Sequence, residues 1–238
     1  MKIALIGYGK MGKAIEEIAL QRGHEILYRI DIDSRKVLEK QTLSLADVAI
    51  EFSTPATAFE NINKCFDAGV PLVCGTTGWL EHMEQVRERC FREKQAFLYA
   101  SNFSIGVNIF FEVNKHLASL MASQDQYEVS MEEIHHTQKK DAPSGTAITL
   151  AEGILSALPR KKKWVNEITS DPAELGILSK RIDPAPGTHI IRYTSEEDDI
   201  EIRHTAHSRK GFAAGAVTAA EWLEGKQGVF TMKDVLGL

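Results

Sequence analysis

Residues 2–6 (KIALI) are apolar at nearly every position, the pattern of a strand covered on both faces. Glycines at 7, 9 and 12 follow. Residues 13–20 then place Ile15, Ile18 and Ala19 on one helical face, and Gly23 ends that helix. Residues 24–30 (HEILYRI) read as a second strand ending at Asp31. Residues 48–52 make a third strand, and Pro55 sits at a natural first position of the next helix. Residues 71–74 form a fourth strand that runs into Gly75-Thr76-Thr77-Gly78. A charged amphipathic helix over 80–94 and a fifth strand over 96–100 complete the run. Strands alternating with helices predict a doubly wound parallel sheet.

The rhythm changes near residue 104. One long helix is expected over 104–122, with Ile105, Ile109, Val113 and Leu117 stacked along a face. Residues 127–134 (YEVSMEEI) alternate as a strand, and 147–158 read as a helix. Residues 188–195 (THIIRYTS) and 199–207 (DIEIRHTAH) read as strands paired across an acidic turn. This block predicts an α+β domain with a mixed, largely antiparallel sheet. From Gly211 a helix rich in small residues (FAAGAVTAAEWLEG) suits close packing back on the first domain. The expected division is therefore 1–103 with 210–238 as one domain and 104–209 as the other.

Composition narrows the function classes. The chain has 238 residues, 43% hydrophobic and 26% charged, which is enough apolar material for one large core or two smaller ones. A net charge of −5 argues against general affinity for nucleic acid or an anionic membrane. The cationic run Arg160 to Lys163 reads as a solvated loop. Three cysteines without CxxC spacing argue against disulfides and a structural metal site and fit a reducing compartment. No apolar run is long enough to span a bilayer, and a strand beginning after one lysine leaves no room for a signal peptide, so a cytoplasmic protein is expected.

Two stretches carry candidate chemistry. Gly7-Tyr8-Gly9-Lys10-Met11-Gly12 matches G-x-G-x-x-G between a strand and a helix. The glycines permit a tight turn and close backbone approach, and the helix N-terminus offers N–H groups to a pyrophosphate. Asp31 lies where a carboxylate meets a ribose 2′-hydroxyl, while Arg29, Arg35 and Lys36 stand near enough to hold a 2′-phosphate, which leaves NADH and NADPH both open. Gly75, Thr76 and Thr77, and likewise Ala100, Ser101, Asn102 and Phe103, end strands on the side where such sheets bind nucleotides. The second stretch is EEIHHTQKKDAPSGTA, residues 132–147. His135 and His136 end a strand, so a regular strand turns only one of them into a given pocket. Backbone N–H groups of Ser144, Gly145 and Thr146 at a helix start, with Lys139 upstream, make an anion site beside a proton donor. A plain Ser144 helix cap with structural histidines is the competing reading. His24, His82, His116, His189, His204 and His207 are taken as structural or surface residues, with more interest in His204 and His207 because Arg209 is beside them. Cys74, at a strand end, is the residue to check for a nucleophile of the aspartate-semialdehyde type.

These residues resemble the dihydrodipicolinate reductase family, also called 4-hydroxy-tetrahydrodipicolinate reductases, whose motif E-x-H-H-x-x-K-x-D-A-P-S-G-T-A is matched at every fixed position from Glu133 to Ala147. The likeness extends over nearly the whole chain: the glycine loop ending in Met11-Gly12, the G-T-T-G at 75–78, N-F-S-x-G-V-N at 102–108, H-x-A-x-S-R at 204–209 and F-A-x-G-A at 212–216. The resemblance implies a Rossmann-type first domain and reduction of a small cyclic dicarboxylate, 4-hydroxy-tetrahydrodipicolinate (dihydrodipicolinate), to tetrahydrodipicolinate in lysine synthesis, using NADH or NADPH. It implies His135 as acid/base, Lys139 as proton donor, His136 in substrate binding, and Gly145 and Thr146 holding a carboxylate. It also implies a homotetramer joined through the second domain's sheet. The chain is shorter than many relatives between its second and third strands, near residues 36–46, which border the adenosine end of a nucleotide.

Overall fold

The computed structural model describes residues 1–31, 39–208 and 210–238. Arg35, Lys36 and Arg209, singled out above, lie outside the described residues. The chain divides into two compact units, Met1–Ile105 with Lys210–Leu238, and Gly106–Arg209.

In the first unit, β1 (Lys2–Ile6), α1 (Lys10–Gln21), β2 (Glu25–Ile30), α2 (Lys40–Leu43), β3 (Val48–Glu51), α3 (Pro55–Ala68), β4 (Leu72–Cys74), α4 (Met83–Arg92) and β5 (Ala96–Tyr99) alternate as the pattern requires. Every strand pair is parallel, and the order is β11-β5-β4-β3-β1-β2, where β11 (Gly228–Phe230) is a sixth strand supplied by the chain's end. The sheet is covered on both sides, and β1 shows how. Ile3 and Leu5 pack into a core with α1 and the late helix, while Ala4 and Ile6 face a second core with α3. A strand buried on both faces is apolar throughout, which is why KIALI does not alternate.

The α5 helix (Ile105–Leu120) leads into the second unit. There β6 (Glu128–His135), α6 (Gly145–Ala157), β7 (Lys163–Val165), β8 (Glu174–Arg181), β9 (Gly187–Thr194) and β10 (Asp199–Ala206) form a five-stranded sheet of order β10-β9-β6-β8-β7 with its helices. The sheet is mixed: β10/β9 and β9/β6 are antiparallel, β6/β8 and β8/β7 parallel. The β7 and β8 strands fall in a stretch where the sequence shows no clean alternation. One face of α5 differs from expectation. Ile105, Ile109 and Val113 are exposed, and the buried positions are Val107, Phe110, Asn114 and Ala118. The helix is apolar on more than one side, so periodicity alone does not say which stripe meets the core. Asn114 belongs to the chosen side because its amide donates to Leu150 O.

The α7 helix (Lys210–Leu223) returns to the first unit and packs on α1, followed by β11 and α8 (Met232–Leu236). Its small residues permit a close approach. A Cβ at Gly215 would collide with the carbonyl of Phe103.

Candidate active site

The parallel strands of the first unit end on one edge of the sheet, and the glycine turn stands there. Gly7 has φ +90°, and a Cβ on it would strike Phe52 O; one on Gly12 would strike Gly7 O. Gly9 differs. It caps α1 with an ordinary φ of −80°, and nothing lies within 4 Å of where its Cβ would be. Gly7 and Gly12 are demanded by the fold, whereas Gly9 leaves a vacant approach to the helix N-terminus, which is what a pyrophosphate needs. On one side of the turn a cavity is lined by Tyr8, Gly9, Asp31, Ser53 and Thr57. On the other, a second cavity is lined by Lys10, Met11, Gly75, Thr76 and Thr77. Asp31 thus stands beside the turn. Arg29, also considered for a 2′-phosphate, is held by the carboxylate of Glu16, which the Tyr8 hydroxyl contacts as well.

Ser53 lines both cavities, and a buried acidic side chain, Glu51, organises the loops around it. Glu51, at the end of β3, accepts from Ser53 N at 3.1 Å and from the Ser53 hydroxyl, and Asn61 Nδ2 reaches it at 3.4 Å. The Cys74 thiol donates to it at 3.2 Å, and Ser53 N also donates to Thr76 Oγ1 at 2.8 Å. Burial, then the neighbouring Glu51, pushes the Cys74 thiol well up, so Cys74 is a hydrogen-bond donor and not a nucleophile. Of the strand-end residues 100–103, Ala100 is buried, the Phe103 ring lies in the core against Phe52, and Asn102 Oδ1 accepts from Ser104 N.

In the second unit the inward side of each strand changes character along its length. On β6, Val129 and Met131 enter the core, and then Glu133 and His135 occupy the same side. On β8, Leu175 and Ile177 give way to Ser179 and Arg181; on β9, Tyr193 and Ile191 give way to His189. Register does the rest: Ser179, Glu133, His189 and His204 stand opposite one another on adjacent strands. Glu133 is completely buried. It accepts from Ser144 N with both oxygens at 3.1 Å, from Ser179 Oγ at 2.8 Å and from Arg181 at 3.1 Å. His135 Nδ1 lies 3.3 Å from Glu133 Oε2 but off the line of a hydrogen bond, and His189 Nε2 lies 3.8 Å from the same oxygen. Burial pushes the Glu133 carboxyl up, yet His135, Ser144, Ser179 and Arg181 outweigh it and hold the group well below the usual carboxylate range. Burial, then the adjacent His135, brings His189 down to about 4, so this imidazole is neutral at pH 7. Ligand atoms of Glu133, His135 and His189 fall within 4.8 Å of one another. The carboxylate is already charge-paired with Arg181, which makes it the hub of a hydrogen-bond network.

The expected residues find these places. His135 is buried and His136 half-buried, one inward and one not, as a regular strand requires. Lys139 is held by both oxygens of Asp141 at 2.8 Å. Ser144 caps α6 through Ala147 N, and its own N–H, expected to be open to an anion, is taken by Glu133. Gly145 and Thr146 open the helix. Sequence reasoning gave no role to Glu133, Ser179 and Arg181 and took His189 as structural or surface. The first was legible, because two residues apart on a strand means one shared face; the others depend on strand register, which a single sequence does not display.

The comparisons with known proteins cover both units. Residues 1–103 match the family model "Dihydrodipicolinate reductase, N-terminus" and residues 106–236 match "Dihydrodipicolinate reductase, C-terminus". The chain belongs to the dihydrodipicolinate reductase family. A 4-hydroxy-tetrahydrodipicolinate reductase of Christiangramia forsetii is 52% identical over 238 residues, covering 99% of this chain and 98% of the relative. One from Methanosarcina mazei is 36% identical over 99% of this chain and 89% of its own length. A solved dipicolinate-bound dihydrodipicolinate reductase from Paenisporosarcina sp. TG-14 matches with a TM-score of 0.76 at 25% identity, over 97% of each chain.

Proposed function

We propose that this chain converts 4-hydroxy-tetrahydrodipicolinate to tetrahydrodipicolinate, the 4-hydroxyl leaving as water to give the dihydropyridine diacid that a reduced pyridine nucleotide then reduces, in keeping with the names of its relatives. The observation that carries the reading is a buried His135, sealed on its Nδ1 side against Glu133, within the stretch that matches the family motif. The nucleotide supplies hydride when bound, and the first unit's glycine turn and α1 N-terminus are its seat. Asp31 accepts from an unphosphorylated ribose 2′-hydroxyl, which favours NADH. The diacid substrate is anionic; Gly145 and Thr146 at the α6 N-terminus, with His136, hold one carboxylate, and Lys139 leaves Asp141 to meet the ring's negative charge as hydride arrives. His135, with Lys139, returns the proton to the neighbouring ring carbon. Assembly as a homotetramer through the outer face of the second sheet, where Leu178 and Ile190 lie near Glu132 and Arg192, belongs to the same proposal.

The test follows nicotinamide absorbance at fixed enzyme with freshly generated dihydropyridine diacid, comparing NADH with NADPH. Oxidation that depends on the diacid, with the lower KM for NADH, is expected. No diacid-dependent oxidation with either nucleotide ends the reading.

A further inference from the structure

Glu133 takes up one side of the catalytic imidazole completely. Its Oε1 receives the Ser144 N–H, the Ser179 hydroxyl and Arg181, which fix the carboxylate's orientation. Its Oε2 faces His135 Nδ1, and that nitrogen is shut off from solvent with no hydrogen-bond partner of good geometry. The opposite nitrogen, Nε2, is not among the sealed, unpartnered atoms. Gly187 on β9 lies beside it, and a Cβ there would come 3.1 Å from His135 Nε2. A sealed Nδ1 and a Gly187 without a side chain leave Nε2 as the nitrogen that exchanges a proton with a bound molecule.

We infer that Glu133 is a positioning residue for the reduction, fixing the His135 ring with a proton on Nδ1 toward the carboxylate and Nε2 toward the substrate. The inference rests on the reductase reading above. The charged and titratable groups placed against this imidazole are Glu133 on its own strand, Arg181 opposite it on β8 and His189 from β9; His204 on β10 and Lys139, paired with Asp141, act on His189. Among these Glu133 is the buried anion at contact distance. Without it Arg181 stands opposite the ring with no buried anion beside it, and the imidazolium is disfavoured.

The experiment compares wild type, Glu133→Gln and Glu133→Asp. Nitrogen-15 spectra of labelled histidine, with His135→Gln to assign the signal, report the ring's tautomer in the unliganded protein. The expected wild-type form carries its proton on Nδ1, and the Gln variant loses that preference. In the Gln variant kcat falls about 10- to 100-fold while the diacid KM changes less than about threefold. The limb of the kcat–pH profile that reports loss of the imidazolium moves to lower pH by about one unit. Glu133→Asp keeps the charge one methylene further back, so its limb stays at the wild-type position, with an intermediate kcat and a partly mixed tautomer. If the Gln variant does not fold, as judged by circular dichroism, the Asp variant decides by its tautomer and kcat. Unchanged tautomer and unchanged pH limb in an active enzyme overturn the positioning role alone. A tautomer that differs between wild type and the Gln variant, in a protein whose wild type never reduces the diacid, upholds the positioning contact and overturns the reductase reading.

Discussion

The Lys139 ammonium is clasped by Asp141, whereas the His135 ring is held by burial and by its neighbours. Burial pushes the Asp141 carboxyl up, but the hydrogen bond and charge of Lys139 outweigh it and hold the carboxyl below its ordinary value. The proposed role of Lys139 suits such a partner: Asp141 holds the side chain in place by both oxygens, and a substrate carboxylate would compete for it. The two residues therefore predict different kinetic losses. His135→Gln removes proton transfer and lowers kcat by about 10²- to 10⁴-fold, with nucleotide binding intact. Lys139→Ala removes a charge that greets the substrate as well as a proton source, so kcat falls and the diacid KM rises, by about tenfold for each 1.4 kcal/mol of lost binding. Steady-state rates and nucleotide titrations of both variants distinguish these patterns. Near-wild-type turnover in either one would sink its assigned role.

At the scale of the element, the β1–α1 turn separates what the fold requires from what the ligand requires. Gly7 and Gly12 have backbone or neighbours that refuse a side chain; Gly9 has neither constraint. Gly9→Ala is therefore expected to leave the unfolding free energy within about 0.5 kcal/mol of wild type while raising the nucleotide Kd at least about tenfold. Calorimetric titration beside urea unfolding tests it, and tight binding in the Ala variant would show that no phosphate passes over Gly9. The same turn shows what was legible in the sequence. Strand, glycine loop and helix N-terminus are contiguous, so the pattern displays them together, as it does His135, Lys139 and the Ser144 cap. The Ser179–Glu133–His189–His204 row is built from strands far apart in the chain whose register depends on packing. Short β7 and β11 carry too few residues for periodicity to speak, and on α5, apolar on several sides, periodicity pointed to the stripe of Ile105, Ile109 and Val113 that the structure leaves exposed.

For the molecule as a whole, that polar row inside the second unit has a thermodynamic consequence. His189 is neutral in the folded state because burial and His135 bring it down to about 4, against about 6.5 in an unfolded chain. Above pH 6.5 neither state binds the proton and the residue adds no pH dependence. As pH falls from 6.5 toward 4 the unfolded chain takes up a proton that the folded chain refuses, so stability drops through that window. By pH 5 the loss is on the order of 2 kcal/mol. His204, lowered by burial and then by His207, acts with the same sign. Glu133 is the opposite case. Its folded value is depressed, so its contribution is present above the ordinary carboxylate range and disappears only when pH falls through that depressed value in strong acid. Between pH 7 and 5 the decline therefore belongs to the imidazoles and not to the buried carboxylate. Hydrogen exchange of β6 and β9 peptides during urea unfolding reports the second unit separately from the first. It should show stability falling by about that amount from pH 7 to 5, and falling less than half as much in His189→Gln, whose amide occupies the place of Nε2 beside Ser144 Oγ. An identical pH slope in the variant would mean that the protons are taken up elsewhere, and that the buried row of imidazoles does not govern acid sensitivity in this range.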